Sequence, residues 1–98
     1  MQAVPSTWEE LKAHVHGELC DKENLIPEQF PLEIHALLQR EEVCGVEFAL
    51  FGPRQIRLTA IWTLDSNSVL FYDSRGTRYQ SIRLPRFPQE IPEELLCC

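Results

Sequence analysis

The chain has 98 residues, of which 44% are hydrophobic and 24% are charged. These values are ordinary for one small folded domain and argue against a disordered chain. No run of about 18 apolar residues is present, so the sequence predicts no membrane-spanning helix. The beginning, MQAVPSTWEEL, lacks the basic and apolar regions of a secretory signal. We therefore expect a soluble protein located in the cytoplasm.

Charge is divided unevenly along the chain, whose net charge is −6. Residues 1–47 contain ten acidic and three basic side chains, whereas residues 48–88 contain two acidic and six basic ones, all of them arginine. Residues 89–98 add three glutamates. Because the planar guanidinium group donates two hydrogen bonds at once, the basic segment is suited to contacts with carboxylates or phosphates.

Two helices are predicted in the first half of the chain. The first covers residues 6–20, where Ser6 or Thr7 can cap the helix. Its apolar side chains recur at helical spacing, namely Trp8, Leu11, Val15 and Leu19. The second covers residues 31–41, because Pro31 suits a first helical turn. Its inward-facing side chains would be Ile34, Leu37 and Leu38.

Four strands are predicted after the helices, at residues 43–51, 54–64, 68–73 and 78–84. They are separated by segments rich in Gly, Pro, Asn, Asp and Ser, which are typical of tight turns. The sequence Asp73-Ser74-Arg75-Gly76-Thr77 suits a type I turn followed by a left-handed glycine. The fold class expected is α+β, with two N-terminal helices packed on one face of a four-stranded antiparallel meander. The single domain covers residues 1–88, and residues 89–98 form an acidic tail.

A three-residue loop at Gly52-Pro53-Arg54 would place Phe48 opposite Leu58, and a two-residue loop at Ser66-Asn67 would place Trp62 opposite Phe71. These turn lengths assign the strand residues to two faces, because opposed residues of paired strands share a face. One face is wholly apolar and is predicted to lie under the helices. It consists of Val46, Phe48, Leu50, Ile56, Leu58, Ala60, Trp62, Leu64, Val69, Phe71 and Tyr79. A slip of one residue would exchange the two faces, so the agreement among turns supports the assignment.

The opposite face mixes apolar, aromatic and arginine side chains, a composition typical of protein interfaces. The candidate partner-binding residues are Phe51, Arg57, Ile61, Leu70, Tyr72, Arg78 and Ile82, with Thr59, Thr63 and Gln80 among them. The sequence thus favours a small non-enzymatic protein-binding or adaptor domain. We expect it to form a homodimer through this face or through an edge strand. The alternative is a solvated face that carries good strand formers.

Two other functions fit parts of the same sequence. Phe51 and Tyr72 could stack on bases while Arg57 and Arg78 contact phosphates, as in single-stranded nucleic-acid binders with a sheet platform. The acidic composition, with a pI near 4.9, argues against this function. Nucleic acid is therefore an improbable partner by sequence.

The third possibility is a zinc- or thiol-dependent enzyme. His16 and Cys20 share a helix face, and His35 and Cys44 could add two ligands or form a nucleophile–base pair. No CxxC or HExxH spacing supports a metal site, and no glycine-rich loop supports phosphate binding. We therefore expect no metal, no cofactor, no small-molecule substrate and no catalytic residue. The last two residues, Cys97 and Cys98, belong to the predicted tail, and the four cysteines form no regular disulfide framework.

Overall fold

A computed structural model of the chain describes residues 5–92 and Leu95. It begins with helix α1, Trp8–Lys22. The Thr7 side chain accepts a hydrogen bond from the Glu10 N–H at 3.2 Å, and the Glu10 carboxylate accepts from the Ser6 N–H at 2.8 Å. These bonds satisfy backbone donors that have no partner within the helix. The predicted first helix is confirmed, and it begins and ends two residues later than predicted.

The predicted second helix is wrong, because residues 32–39 form a strand. Strand β1, Leu32–Gln39, pairs antiparallel with β2, Glu42–Phe51, through the two-residue turn Arg40-Glu41. Both turn residues have positive φ, 55° and 70°, as a type I′ hairpin turn requires. Such turns normally contain Asn or Gly, so a hairpin turn was not predictable from Arg40 and Glu41.

Three further strands complete a five-stranded antiparallel sheet in the order β1-β2-β3-β4-β5. They are β3, Arg57–Thr63; β4, Ser68–Tyr72; and β5, Arg78–Arg83. One-turn 3₁₀ helices, Pro27–Gln29 and Pro53–Gln55, precede β1 and β3. The α+β class and the consecutive meander are confirmed, and the described residues form one α-helix and five strands in place of two helices and four strands.

Helix α1 packs on one side of the sheet, which we call the inner face. The side chains buried between helix and sheet come from α1 and from β2, β3 and β4; they include Leu11, Val15, Leu19, Val46, Phe48, Leu50, Leu58, Ala60, Trp62, Val69 and Phe71. The Trp8 ring lies 5.8 Å from that of Phe48 and 6.2 Å from that of Trp62. The predicted core face of the three central strands is therefore confirmed.

The registers of two hairpins differ from the predicted ones by two residues, which leaves the faces unchanged. Leu58 lies opposite Leu50, not Phe48, and Trp62 lies opposite Val69, not Phe71. A shift by two returns every side chain to the same side, because the side-chain period of a strand is two.

The β4–β5 hairpin contains a bulge that the sequence did not reveal. Its loop is as predicted: Gly76 has a φ of 82°, and the Asp73 N–H donates to the Thr77 carbonyl at 3.0 Å. The register then shifts between Phe71 and Tyr72, so that Tyr79 is the additional residue. Every side chain after a one-residue bulge moves to the other face.

The segment after β5 returns to the start of α1. The Gln89 N–H donates to the Ser6 carbonyl at 2.9 Å, and the Trp8 N–H donates to the Gln89 carbonyl at 2.8 Å. Ile91 and Leu95 pack partly against the core. Several residues of the predicted acidic tail thus contact the domain, whereas Cys97 and Cys98 lie outside the described residues. Within the part of the chain described, no helix is long and apolar enough to cross a membrane.

Candidate binding surface

The side of the sheet opposite α1, which we call the outer face, has an apolar centre. Ile61 of β3 lies directly opposite Leu70 of β4, and Tyr72 lies opposite Thr59. All four side chains are half-buried by their neighbours in the sheet. Phe51, at the end of β2, is 47% exposed. No described helix or loop packs over this centre, since α1 lies on the inner face.

Arginine side chains border the apolar centre. Arg57 lies 5.6 Å above the Phe51 ring, and its guanidinium is 3.6 Å from the Glu47 carboxylate. Arg78 lies opposite Tyr72, and Arg83 lies opposite Ser68. Neither Arg78 nor Arg83 forms an ion pair with any residue that the structure describes. The β4–β5 side of the outer face is therefore positive.

Two side chains predicted for the outer face lie on the inner one. Ile82 is opposite Val69, and Gln80 is opposite Phe71; both opposed residues belong to the core. Ile82 is half-buried against that core. The bulge at Tyr79 causes the reversal, because the prediction assumed a continuous register after the loop. Ile82 is thus removed from the candidate surface, while Phe51, Arg57, Ile61, Leu70, Tyr72 and Arg78 lie on it.

Three residues of β1 extend the outer face and were missed as candidates. Glu33 lies opposite Ala49, His35 opposite Glu47, and Leu37 opposite Gly45. The alternation of polar and apolar residues in LEIHALL was the available signal, since a period of two is typical of strands. The helical spacing of the apolar residues in the same segment concealed it.

The groups proposed for zinc binding or thiol catalysis lie in separate places. The His16 imidazole is 2.7 Å from the Phe30 carbonyl oxygen, and burial raises the pKa of the Cys20 thiol above its ordinary value. His35 faces Glu47, three residues from Cys44 along β2, a separation of roughly 10 Å at the rise of a strand. Among residues 5–92 and Leu95, no group of three or more His, Cys, Asp or Glu side chains could hold a metal ion.

The open groove nearest to Cys44 lies between the β1–β2 turn and the β3–β4 loop. It has a volume of about 690 Å³, and Glu42 and Asp65 are among its lining residues. None of the described residues that line it is a histidine. Arg40 lines the groove together with the exposed Cys44 thiol, but no described imidazole lies there to act as the base of a cysteine nucleophile.

Comparison with protein-family models, with curated proteins and with solved structures gave no match to this chain.

Proposed function

We propose that this chain is a small protein-binding domain whose outer face binds a protein surface that combines apolar side chains with carboxylates. The observation that carries the proposal is the apolar centre at Ile61, Leu70 and Tyr72, which no described element covers. The solvent-exposed face of an antiparallel sheet ordinarily carries polar side chains. Three neighbouring apolar or aromatic side chains on the outer face therefore support contact with a partner.

The chemistry of the partner follows from the border of the surface. Arg78 and Arg83 can each donate two hydrogen bonds to a carboxylate. Arg57 is partly neutralised by Glu47, so it contributes less charge and more packing surface, through its contact with Phe51. Aromatic and arginine side chains are the types that most often dominate the binding energy of protein interfaces.

Nucleic acid fits this surface less well than protein. Glu33 and Glu47 lie on the same face as the arginines and would repel phosphates. A single-stranded nucleic acid would need a continuous positive path beside the stacking residues. Among the described residues, the outer face is positive only on its β4–β5 side. This distribution favours contacts with a few carboxylates over contacts along a nucleic-acid backbone.

The proposal can be tested by selecting binders from a randomised peptide library with the full chain as the target. We expect enriched peptides that combine aromatic or aliphatic residues with Asp or Glu. Their affinity should fall at least about thirtyfold when the target carries Leu70→Glu, because this substitution removes one dominant contact. The matched control is Ser74→Glu, which adds the same charge in an exposed turn and should preserve binding.

Three outcomes would contradict the proposal: no enrichment, enrichment of basic peptides, or equal binding by the two variants. A fluorescent single-stranded oligonucleotide, titrated at low salt, provides the comparison with nucleic acid. If it binds the wild-type chain and Leu70→Glu abolishes that binding while no peptide is enriched, the nucleic-acid function replaces the one proposed.

A further inference from the structure

The edge strand β1 carries few of the features that usually protect a sheet edge: one charged side chain, Glu33, and an irregularity in its pairing with β2 between Leu37 and Leu38. Five of its eight residues are apolar, and none is Lys, Arg or Pro. Leu38 is 62% exposed. The other edge, β5, has Arg78 near one end and Arg83 at the other. Charged residues and proline discourage a sheet edge from pairing with another chain, so the two edges differ in their capacity to pair.

Hydrogen bonds at both ends of β2 show which way its backbone groups point. The Gly52 N–H donates to the Ile56 carbonyl at 2.8 Å, and the Leu64 N–H donates to the Cys44 carbonyl at 3.2 Å. The N–H and C=O of successive residues in a strand point to alternate sides. The even-numbered residues of β2 therefore point toward β3, and the odd-numbered ones toward β1.

The register of β1 then determines its own free groups. Residues 33, 35 and 37 lie opposite the odd-numbered residues of β2 and bond to them. The N–H and C=O groups of Leu32, Ile34 and Ala36 consequently point away from the sheet. No other described segment pairs with this edge. Unpaired edge groups of this kind are a template for another strand.

The inner side of β1 is also incompletely covered. Helix α1 packs over β2 and β3, and an open groove of about 440 Å³ remains between the helix and β1. Leu32 and Ile34 line this groove together with Lys12 and His16. The inner-face side chains of β1 are accordingly only half-buried. An additional strand beside β1 would bury them further.

We propose that β1 of a second copy of this chain pairs antiparallel with β1 about a two-fold axis at Ile34. The two sheets would join into one continuous sheet of ten strands, with both helices on the same side. Glu33 would lie opposite His35 of the second copy, and this pair would occur twice. Leu32 would lie opposite Ala36 of the second copy on the inner side.

The complementarity of Glu33 and His35 selects this register. Within one chain their side chains already lie 3.4 Å apart at the edge. An axis at His35 would place the two His35 rings opposite each other, and an axis at Ala36 would place Glu33 opposite Gln39. A carboxylate directly opposite an imidazole can accept a hydrogen bond from it and so stabilise the pairing, whereas the other registers leave Glu33 without such a partner.

A second copy is a better occupant than the β5 edge of another molecule. Pairing of β1 with β5 is heterologous and would leave one free edge of each kind, so it would propagate into a filament. Two-fold pairing of β1 closes the assembly and leaves the arginine-bearing β5 edges outside. This inference does not require the outer face to bind any partner.

A proline substitution at an outward-pointing N–H tests the pairing with little effect on the fold, since proline is tolerated at a free edge. Ala36→Pro removes one of the proposed intermolecular donors. Ser81→Pro is the matched control, because the Ser81 N–H points away from β4 at the opposite edge. We expect sedimentation of the full chain at micromolar concentrations to give twice the chain mass of 11.4 kDa.

Ala36→Pro should raise the dissociation constant of the dimer at least about tenfold, the loss expected for one or two hydrogen bonds. Ser81→Pro should leave that constant unchanged. Circular dichroism confirms that both variants are folded. A monomeric wild-type chain, or a dimer that Ser81→Pro disrupts and Ala36→Pro does not, would overturn the pairing.

Single cysteines at positions 34, 35 and 36 test the register, in a chain whose Cys44, Cys97 and Cys98 are replaced by serine. In the proposed register, only Ile34→Cys places the two substituted residues directly opposite each other. Their Cα atoms would be about 5.5 Å apart, a distance that a disulfide can bridge. We expect mild oxidation to crosslink this variant most completely. Preferential crosslinking of His35→Cys or Ala36→Cys would overturn the register. Failure of the peptide selection together with this crosslink would reject only the function proposed for the outer face.

Discussion

The two faces of the sheet both carry large apolar side chains, but they bury them to different extents. On the inner face, Phe48, Trp62 and Phe71 have no exposed surface beneath α1. On the outer face, Phe51 is 47% exposed, and Leu70 is half-buried only by its neighbours in the sheet. The inner face thus accounts for folding, whereas the apolar content of the outer face is more than folding requires.

The largest expected difference between the faces is in stability. Phe71→Ala should lower the free energy of unfolding by about 3–5 kcal/mol, because it removes a fully buried ring and leaves a cavity. Leu70→Ala, one residue earlier and on the outer face, should cost about 1 kcal/mol. Urea denaturation of both variants measures the contrast. Equal losses would indicate that the outer face is covered.

The hydrogen bonds of the Asn67 side chain should contribute less to stability than the buried ring of Phe71. The Asn67 side chain accepts a hydrogen bond from Trp62 Nε1 at 2.9 Å and donates to the Leu84 carbonyl at 3.3 Å. Asn67→Ala should lower the free energy of unfolding by about 1–3 kcal/mol, because both partners lose a bond. Asn67→Asp retains the acceptor for Trp62 and should cost less in thermal denaturation. Equal losses for the two variants would show that the bond to Trp62 contributes nothing.

The two tyrosines of β4 and β5 allow a comparison at high pH. Burial raises the pKa of Tyr79 above its ordinary value of 10.0, and Glu18, Asp73 and Glu23 add to the shift. The folded chain therefore retains this proton at pH values where the unfolded chain loses it, so stability falls as the pH rises above about 10. Tyr79→Phe should reduce that fall, and Tyr72→Phe, which removes the same hydroxyl group on the outer face, is the matched control.

Tyr79→Phe also removes a buried hydroxyl that has no hydrogen-bond partner within the described structure. At neutral pH we therefore expect this variant to be as stable as the wild type or slightly more stable. Melting temperatures at neutral and alkaline pH separate the two effects. An alkaline loss that is identical in wild type and Tyr79→Phe would reject this assignment.

The smallest expected effect concerns the hairpin that adds β1 to both faces. Arg40 and Glu41 both adopt positive φ, which costs free energy for residues with a Cβ atom. Replacing the pair by Asn-Gly should raise the free energy of unfolding by up to about 1 kcal/mol. A lower midpoint in urea would contradict the type I′ geometry. The control replaces the exposed pair Ser74-Arg75 by the same dipeptide, in a turn of different type.

The sequence was sufficient to predict the central strands and their core face. Apolar residues alternate from Leu58 to Leu64, and the turn residues beside them restrict the register to shifts of two. Helix α1 was predictable for a similar reason, since a capping residue precedes a helical apolar stripe. Local pattern and tertiary structure agree in these segments.

The errors arose where local chemistry and tertiary structure disagree. In β1, Ile34, Leu37 and Leu38 have helical spacing, and the following turn contains neither Asn nor Gly. The strand is determined by pairing with β2, a non-local contact. No residue pattern in the sequence predicts the bulge at Tyr79. Because of this bulge, Ile82 lies against the core and not on the candidate surface. Both errors affected the candidate site, which gained β1 and lost part of β5.

The most direct test of the account is methyl NMR of the full chain titrated with a selected acidic, apolar peptide. Ile61 and Leu70 report on the outer face, whereas Leu11 and Leu19 report on the core beneath α1. We predict that the peptide shifts the methyl signals of Ile61 and Leu70 and leaves those of Leu11 and Leu19 in place. Shifts confined to Leu11 and Leu19, or to α1, would contradict a binding function for the outer face.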